Sequence, residues 1–171
     1  MIEIIDNFLH HEEAEKIQNI MIGDDCNFPW FFNPYKLHIN ESREKENYQF
    51  THSFLMNEIK SQWCYILFPI LTNLDKKFKN LKLLRIKSNL TTLTNKKFEY
   101  DFHVDDENEK VKAAIYYVNT NDGETKFINK KCVSSIFNRL LVFNANELHK
   151  ATTCTDQSVR CVINFNFTHD F

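Results

Sequence analysis

Two glycines, Gly23 and Gly123, are all that this 171-residue chain contains. It therefore cannot build a GxGxxG turn or a glycine-rich phosphate loop, and dinucleotide and nucleoside-triphosphate sites of those kinds are excluded. Charge of one sign is also missing: 21 Lys and Arg face 23 Asp and Glu, for a net charge of −2. The lysines stand in short mixed runs such as Lys76-Lys77 and Lys96-Lys97. Without a basic stripe, no nucleic-acid partner is expected. The longest apolar run, Trp63 to Leu71, is too short to cross a bilayer. Glu3, Asp6, Glu12, Glu13 and Glu15 leave no secretory apolar region near the start. Five cysteines, an odd number without CxxC spacing, read as reduced thiols. A cytoplasmic protein with no membrane partner is the expectation. What is plentiful is apolar and aromatic, at 43% and 14% with 16 phenylalanines. That suits a core of packed strands in one domain of residues 1–171, with roughly two thirds of the unfolded surface buried.

Along the chain, Ile2 to Ile5 reads as a short strand, followed by a helix in which Ala14, Ile17 and Met21 recur at helical spacing. Gly23-Asp24-Asp25 ends it. Phe28 to Tyr35 is aromatic and broken by two prolines, hence an edge strand or irregular loop. His38 to Asn47 is polar without periodicity, a surface loop of the kind that covers active sites. Tyr48 to Phe54 alternates as a strand. Ile59, Trp63, Ile66, Ile70 and Leu74 mark a helical face broken or kinked near Pro69.

From residue 81 the period becomes two. Eight strands are predicted: Leu81 to Thr91, Glu99 to Asp105, Val111 to Asn119, Thr125 to Ile128, Val133 to Phe137, Leu140 to Phe143, His149 to Thr152 and Val159 to Phe167. Asn121-Asp122-Gly123 and Asn138-Arg139 supply turns. The pattern predicts a mainly β antiparallel sandwich or barrel, residues 81–168, with the helical half, residues 1–80, packed on one outer sheet.

In a strand, His103 and Asp105 share a face while Phe102 and Val104 take the other. If a later strand brings His149 alongside, two imidazoles and a carboxylate converge, a set that suits non-haem Fe(II) with open coordination positions. Arg160 then stands in an otherwise apolar strand. A buried guanidinium is costly unless paired, and a bidentate carboxylate fits its fork.

The order His103-x-Asp105, His149, Arg160 resembles the iron(II)- and 2-oxoglutarate-dependent oxygenases, whose core is an eight-stranded double-stranded β-helix, or jelly roll. Ala114 to Asn119, followed by Asp122-Gly123-Glu124-Thr125, looks like the prolyl-4-hydroxylase-like branch, as does Asn138 to Phe143 leading to His149. Ile4 to Leu9 and Phe28-Pro29-Trp30 are similar to small oxygenases of that branch from marine bacteria and their phages. The resemblance implies that His103, Asp105 and His149 are the metal ligands and that Arg160 pairs with the far carboxylate of the co-substrate 2-oxoglutarate. It also implies that Fe(II), 2-oxoglutarate and O2 together oxidise a substrate C–H, releasing succinate and CO2. Family members that halogenate have a small residue in place of Asp105, so its presence favours hydroxylation or a related oxidation. A tyrosine at position 117 can hydrogen-bond the co-substrate, and Asn89 is a weaker candidate for the same pocket. The substrate is a peptide or protein residue, or a small metabolite.

Plainer readings stand beside these. His103 and His149 could be core histidines, Asp105 a turn carboxylate before Glu107, and Tyr117 a barrel-filling aromatic. His10, His11, His38 and His169 read as solvated, and His52 as structural. The alternative for the whole chain is a catalytically silent jelly-roll binding module. A cupin-like metal enzyme without an oxo-acid co-substrate would leave Arg160 unexplained.

Overall fold

A computed structural model describes residues 2–24, 26–34 and 48–170. The loop read over His38 to Asn47, and Tyr35 before it, lie outside the described residues.

The chain opens with β1 (Glu3–Ile5) and α1 (His11–Ile22). Ala14, Ile17 and Met21 form the buried stripe of α1, and Glu12 and Glu13 sit in its first turn, where the helix dipole favours negative charge. The aromatic segment yields β2 (Phe31–Asn33), an edge strand, paired with β3 (Gln49–Met56).

The kinked helix expected over Ile59 to Leu74 is not one helix. Ile59 and Lys60 form β4, hairpinned onto β3, and Ile59 is 77% exposed. A 3-10 helix then spans Gln62–Leu67, its first turn capped by the Ser61 hydroxyl, which accepts from the Trp63 N–H. Pro69 falls in the first turn of α2 (Phe68–Lys77), where its missing N–H has no partner to lose. It starts a helix instead of kinking one, and Ile70 and Leu74 still bury.

The second half supplies β5 (Lys82–Thr92), β6 (Lys112–Tyr117), β7 (Glu124–Phe127), β8 (Cys132–Ser134), β9 (Arg139–Asn144), β10 (His149–Ala151) and β11 (Val159–Thr168). Among the described residues these build a large sheet in the order β1-β9-β6-β11-β5-β3-β2, with β4 on β3, and a small sheet β10-β7-β8. All pairings are antiparallel. Seven of the eight predicted strands are present. The exception is Glu99 to Asp105, which forms no strand and pairs as isolated bridges, Glu99 with Thr152 and His103 with His149.

Alternation along the central strands divides the core in two. Ala114, Tyr116, Leu140, Val142, Ile163 and Phe165 face outward onto α1 and α2, while Ala113, Ile115, Tyr117, Leu141, Phe143 and Val162 face inward toward the small sheet. A sandwich with helices on one outer sheet is what the period-two pattern predicted, and the jelly roll is what the resemblance implied. Burial of residues such as Ile17, Ile70 and Leu74, at about 1.5–3 kcal/mol each, is what holds the helices there. The inner face is the one that builds the site.

Candidate active site

His103 and His149 meet as a bridged pair, each backbone N–H donating to the other's carbonyl at 2.9 and 3.0 Å. Their rings lie 4.5 Å apart. The Asp105 N–H leaves this ladder for the Ala145 carbonyl at 2.9 Å, so the backbone bends and returns the carboxylate to both imidazoles. His103 Nε2 stands 3.9 Å from Asp105 Oδ1, and His149 Nε2 3.9 Å from Oδ2. The expectation that one regular strand presents His103 and Asp105 is thus corrected: a bridge followed by a bend brings them together. Among the described residues the segment's backbone N–H groups donate to the carbonyls of Ala151, His149 and Ala145.

The donor set fits a metal ion. His149 Nδ1 lies 2.9 Å from the Glu147 carbonyl and His103 Nδ1 3.3 Å from the Asp101 carbonyl. A carbonyl only accepts, so each Nδ1 carries the proton and each Nε2 keeps its lone pair. Donor atoms of the three side chains fall within 4.8 Å of one another, with two separations of 3.9 Å, and a closure of about 1 Å would bring them around one ion at about 2.1 Å from each. Phe143 seats its ring edge-on against His149 at 4.7 Å, with Phe127 at 6.0 Å, which fixes one wall. Asp106, not Asp105, is the turn carboxylate: it accepts from the Asn108 N–H at 2.8 Å.

Arg160 heads β11 and is buried, 4% exposed. Its Nε donates to the Ser135 hydroxyl at 3.0 Å and its Nη2 to the Thr125 hydroxyl at a long 3.4 Å. Burial pulls its pKa down, and the groups acting against that are phenols and thiols. No carboxylate pairs with it among the described residues. Tyr117 is fully buried and lies 5.8 Å from the guanidinium carbon, its hydroxyl donating to Thr125 at 2.8 Å. Burial raises the Tyr117 pKa and keeps the phenol neutral. Asn89 Oδ1 and Thr91 Oγ1 are buried without a partner. An uncompensated guanidinium beside orphaned polar atoms is what an absent dicarboxylate would leave behind. Thr125 touches Arg160, whereas Phe127, two residues along β7, pairs with His149. The guanidinium and the triad are therefore separated by about 7 Å of strand, the reach of a short dicarboxylate.

Register ranks the inner face of β6, β11, β5 and β3 in four rows. Arg160 stands beside Thr91; then come Tyr117, Val162, Asn89 and Thr51; then Ile115, Asn164, Lys87 and Ser53; then Ala113, Asn166 and Arg85. Lys87 and Arg85 were missed by sequence reasoning, although the polar phase Arg85, Lys87, Asn89, Thr91 alternating with Ile86, Ser88 and Leu90 could have revealed them. Burial, reinforced by Arg85, draws Lys87 down to about 8, with the Asp105 carboxylate acting against them. Gly123 was also read only as a turn residue. A Cβ there would stand 2.5 Å from Arg160 Cδ, so the glycine is a passage for the arginine stem. His52 points to the outer core, with Nδ1 2.9 Å from the Pro29 carbonyl and Nε2 2.8 Å from the Ser61 hydroxyl. His10 and His11 are exposed, whereas His169 is half-buried on Phe78.

Residues 89–168 match the sequence model of the 2OG-Fe(II) oxygenase superfamily. No curated protein matches the chain. The fold is similar to that of the viral collagen prolyl hydroxylase of Paramecium Bursaria Chlorella virus-1 in its 2OG complex, at 12% identity and TM-score 0.62, covering 99% of this chain and 96% of that one. A prolyl hydroxylase from Trichoplax adhaerens, in complex with a hypoxia inducible factor peptide fragment, is similar at 16% identity and TM-score 0.63, covering 98% and 83%. The epimerase SnoN, in complex with Fe3+, alpha ketoglutarate and nogalamycin RO, is similar at 8% identity and TM-score 0.69, covering 98% and 78%. At these identities the structures speak for the jelly-roll fold.

Proposed function

We propose that the chain is a 2OG-Fe(II) oxygenase in which His103, Asp105 and His149 hold Fe(II) and Arg160 binds the far carboxylate of 2-oxoglutarate. Tyr117, Thr125 and Asn89 complete the co-substrate pocket: two hydroxyls and an amide that repartner when the anion enters. The observation that carries this reading is the pairing of a three-donor cluster with a buried guanidinium that has no carboxylate partner among the described residues, about 7 Å apart along β7. Together Fe(II), 2-oxoglutarate and O2 supply the oxidation of a substrate C–H, with succinate and CO2 released.

The protein's own groups position and shield. The backbone carbonyls of Asp101 and Glu147 hold both imidazoles in the Nδ1–H tautomer, and Phe143 and Phe127 fix the His149 ring. The Arg160 fork sets the direction of the dicarboxylate, so that its oxo-acid end faces the triad. The carboxylate of Asp105 occupies the place a halide would need, which favours hydroxylation or a related oxidation. The substrate enters along the inner face, with Phe31 beside Thr51 at the rim. Similar folds take a peptide fragment in one case and a small molecule in another, and this chain takes one of those classes. It works as one oxygenase domain over residues 1–171 in the cytoplasm, in keeping with five free thiols; no helix among the described residues is long and apolar enough to cross a membrane.

Anaerobic titration with Fe(II) and then 2-oxoglutarate tests the reading. A weak visible charge-transfer band is expected in the wild type. Asp105→Ala and His149→Ala should lose stoichiometric iron and 2-oxoglutarate-dependent succinate formation. A protein that never develops the band at millimolar co-substrate is instead a silent jelly-roll binding module.

A further inference from the structure

The inner face has two ends. Arg160 marks one, beside Tyr117 at the end of β6, and the triad lies toward the other, where Phe143 pairs with Ala113 and Asp105 is bonded to Ala145. Beyond Tyr117, Val162 and Asn89 the same face carries Lys87 and Arg85 on β5, opposite Asn164 and Asn166 of β11. These four groups are not consumed by the co-substrate, which Arg160 claims from the other side.

Nothing in the described fold neutralises the two cations. No carboxylate lies within ion-pair distance of either among the described residues, and the charges that act on Lys87 are those of Arg85 and Asp105. Asp105 is pledged to the metal, so its charge is spent once iron is bound. Arg85 Nε is buried without a hydrogen-bond partner, and so is Nδ2 of Asn166, a residue only 4% exposed and directly opposite it. Two half-buried cations and two orphaned donors on one wall are expensive for a folded protein unless an acceptor-only group docks there. Like charges side by side are tolerated where a ligand supplies the missing anion.

We infer that the substrate carries an anionic group, a carboxylate or phosphate, which Lys87 and Arg85 bind with the Asn166 amide while the C–H to be oxidised is held at the triad. This rests on the oxygenase reading and specifies its substrate class. Neutral residues and unmodified hydroxyl compounds are disfavoured, because their oxygens can accept from Arg85 Nε and Asn166 Nδ2 but bring no negative charge to set against the two cations. An oxyanion accepts from both and from the lysine.

The test uses the Fe(II)- and 2-oxoglutarate-loaded enzyme under anaerobic conditions, with inorganic phosphate as the probe at low ionic strength. Saturable binding is expected, read as a change in the charge-transfer band without loss of its amplitude. Lys87→Gln and Arg85→Gln should each weaken phosphate by about tenfold or more, Lys87→Arg should retain it, and Lys82→Gln, on the exposed start of β5, should not change it. The band itself reports that each variant is folded and loaded. A second arm screens matched pairs for stimulated succinate release: acidic amino acids and peptides against their amides, and phosphoserine compounds against serine. The arm that responds identifies the anion, and its neutral twin should fall by about tenfold or more in kcat/KM. Absent or unsaturable phosphate binding in an enzyme that shows the band overturns this inference alone. Binding that survives both glutamine variants, or neutral twins turned over as well as anionic ones, overturns it too. Failure of the band in the untreated protein overturns the oxygenase reading instead.

Discussion

Replacing Gly123 by alanine perturbs one contact in a way the structure makes quantitative. Its φ lies outside the left-handed region, so the backbone accepts an L-residue there without strain. The new methyl group, however, would stand 2.5 Å from Arg160 Cδ, 2.9 Å from its Nε and 2.8 Å from Asn121 Oδ1. Ordinary carbon contacts need about 3.5–4.0 Å, so the arginine stem must retreat by roughly 1 Å or more. That displacement breaks the 3.0 Å bond from Nε to Ser135 and misaligns the fork for a carboxylate. A charged hydrogen bond is worth about 1.5–3 kcal/mol, so 2-oxoglutarate affinity should fall by about 10- to 100-fold. Iron binding should stay intact, because no triad residue touches Gly123. Anaerobic titration of the iron-loaded variant, following the charge-transfer band, measures both. Gly123→Ala with wild-type 2-oxoglutarate affinity would refute the assignment of Arg160 to the co-substrate, or the claim that its position depends on this glycine.

Other perturbations test the scaffold. Asn138, at φ 60°, accepts from the Leu9 N–H at 2.9 Å and from the Tyr116 hydroxyl at 3.2 Å, and donates to the Leu9 carbonyl at 2.9 Å. Asn138→Ala orphans three buried groups and places a Cβ in the left-handed region, so urea denaturation should show a loss of about 3–5 kcal/mol; a loss under 1 kcal/mol would remove this side chain as the tie between α1's leader and the sheet. Glu99 bonds Lys126 at 2.6 Å and Lys150 at 2.7 Å, and these hold its carboxyl near 2, below the usual 4.5. A depressed carboxylate stabilises the fold above its unfolded pKa and loses that contribution as pH falls toward the folded value. Wild-type metal-free protein should therefore lose about 0.5–1 kcal/mol more than Glu99→Gln between pH 4.5 and 2, a small amount because Glu99 is 43% exposed. Parallel pH profiles for the two proteins would show that the pairs contribute nothing.

Local chemistry made much of the fold legible. Period-two alternation located β5, β6, β7, β9 and β11, and the spacing of Ala14, Ile17 and Met21 located α1, because burial on one face imposes its period on the sequence. His103, Asp105, His149 and Arg160 were named from residue type and order. The rule failed where non-local pairing decided. Ile59 kept helical spacing with Trp63 yet lies in a hairpin, because β3 offered a ladder. Asp105 reaches the triad through a bend held by Ala145, which alternation in a strand does not describe.

By itself, then, the sequence named the residues expected to bind iron and an anion, and determined the period that builds a sandwich around them. Only the tertiary structure decided that Arg160 has no carboxylate partner among the described residues, that its stem passes over Gly123, and that Lys87 and Arg85 lie farther along the same inner face, toward the triad. Those are facts of register between strands distant in sequence. A one-residue slip would turn every one of these side chains to the opposite face, and no local pattern along a single strand fixes which neighbour it meets.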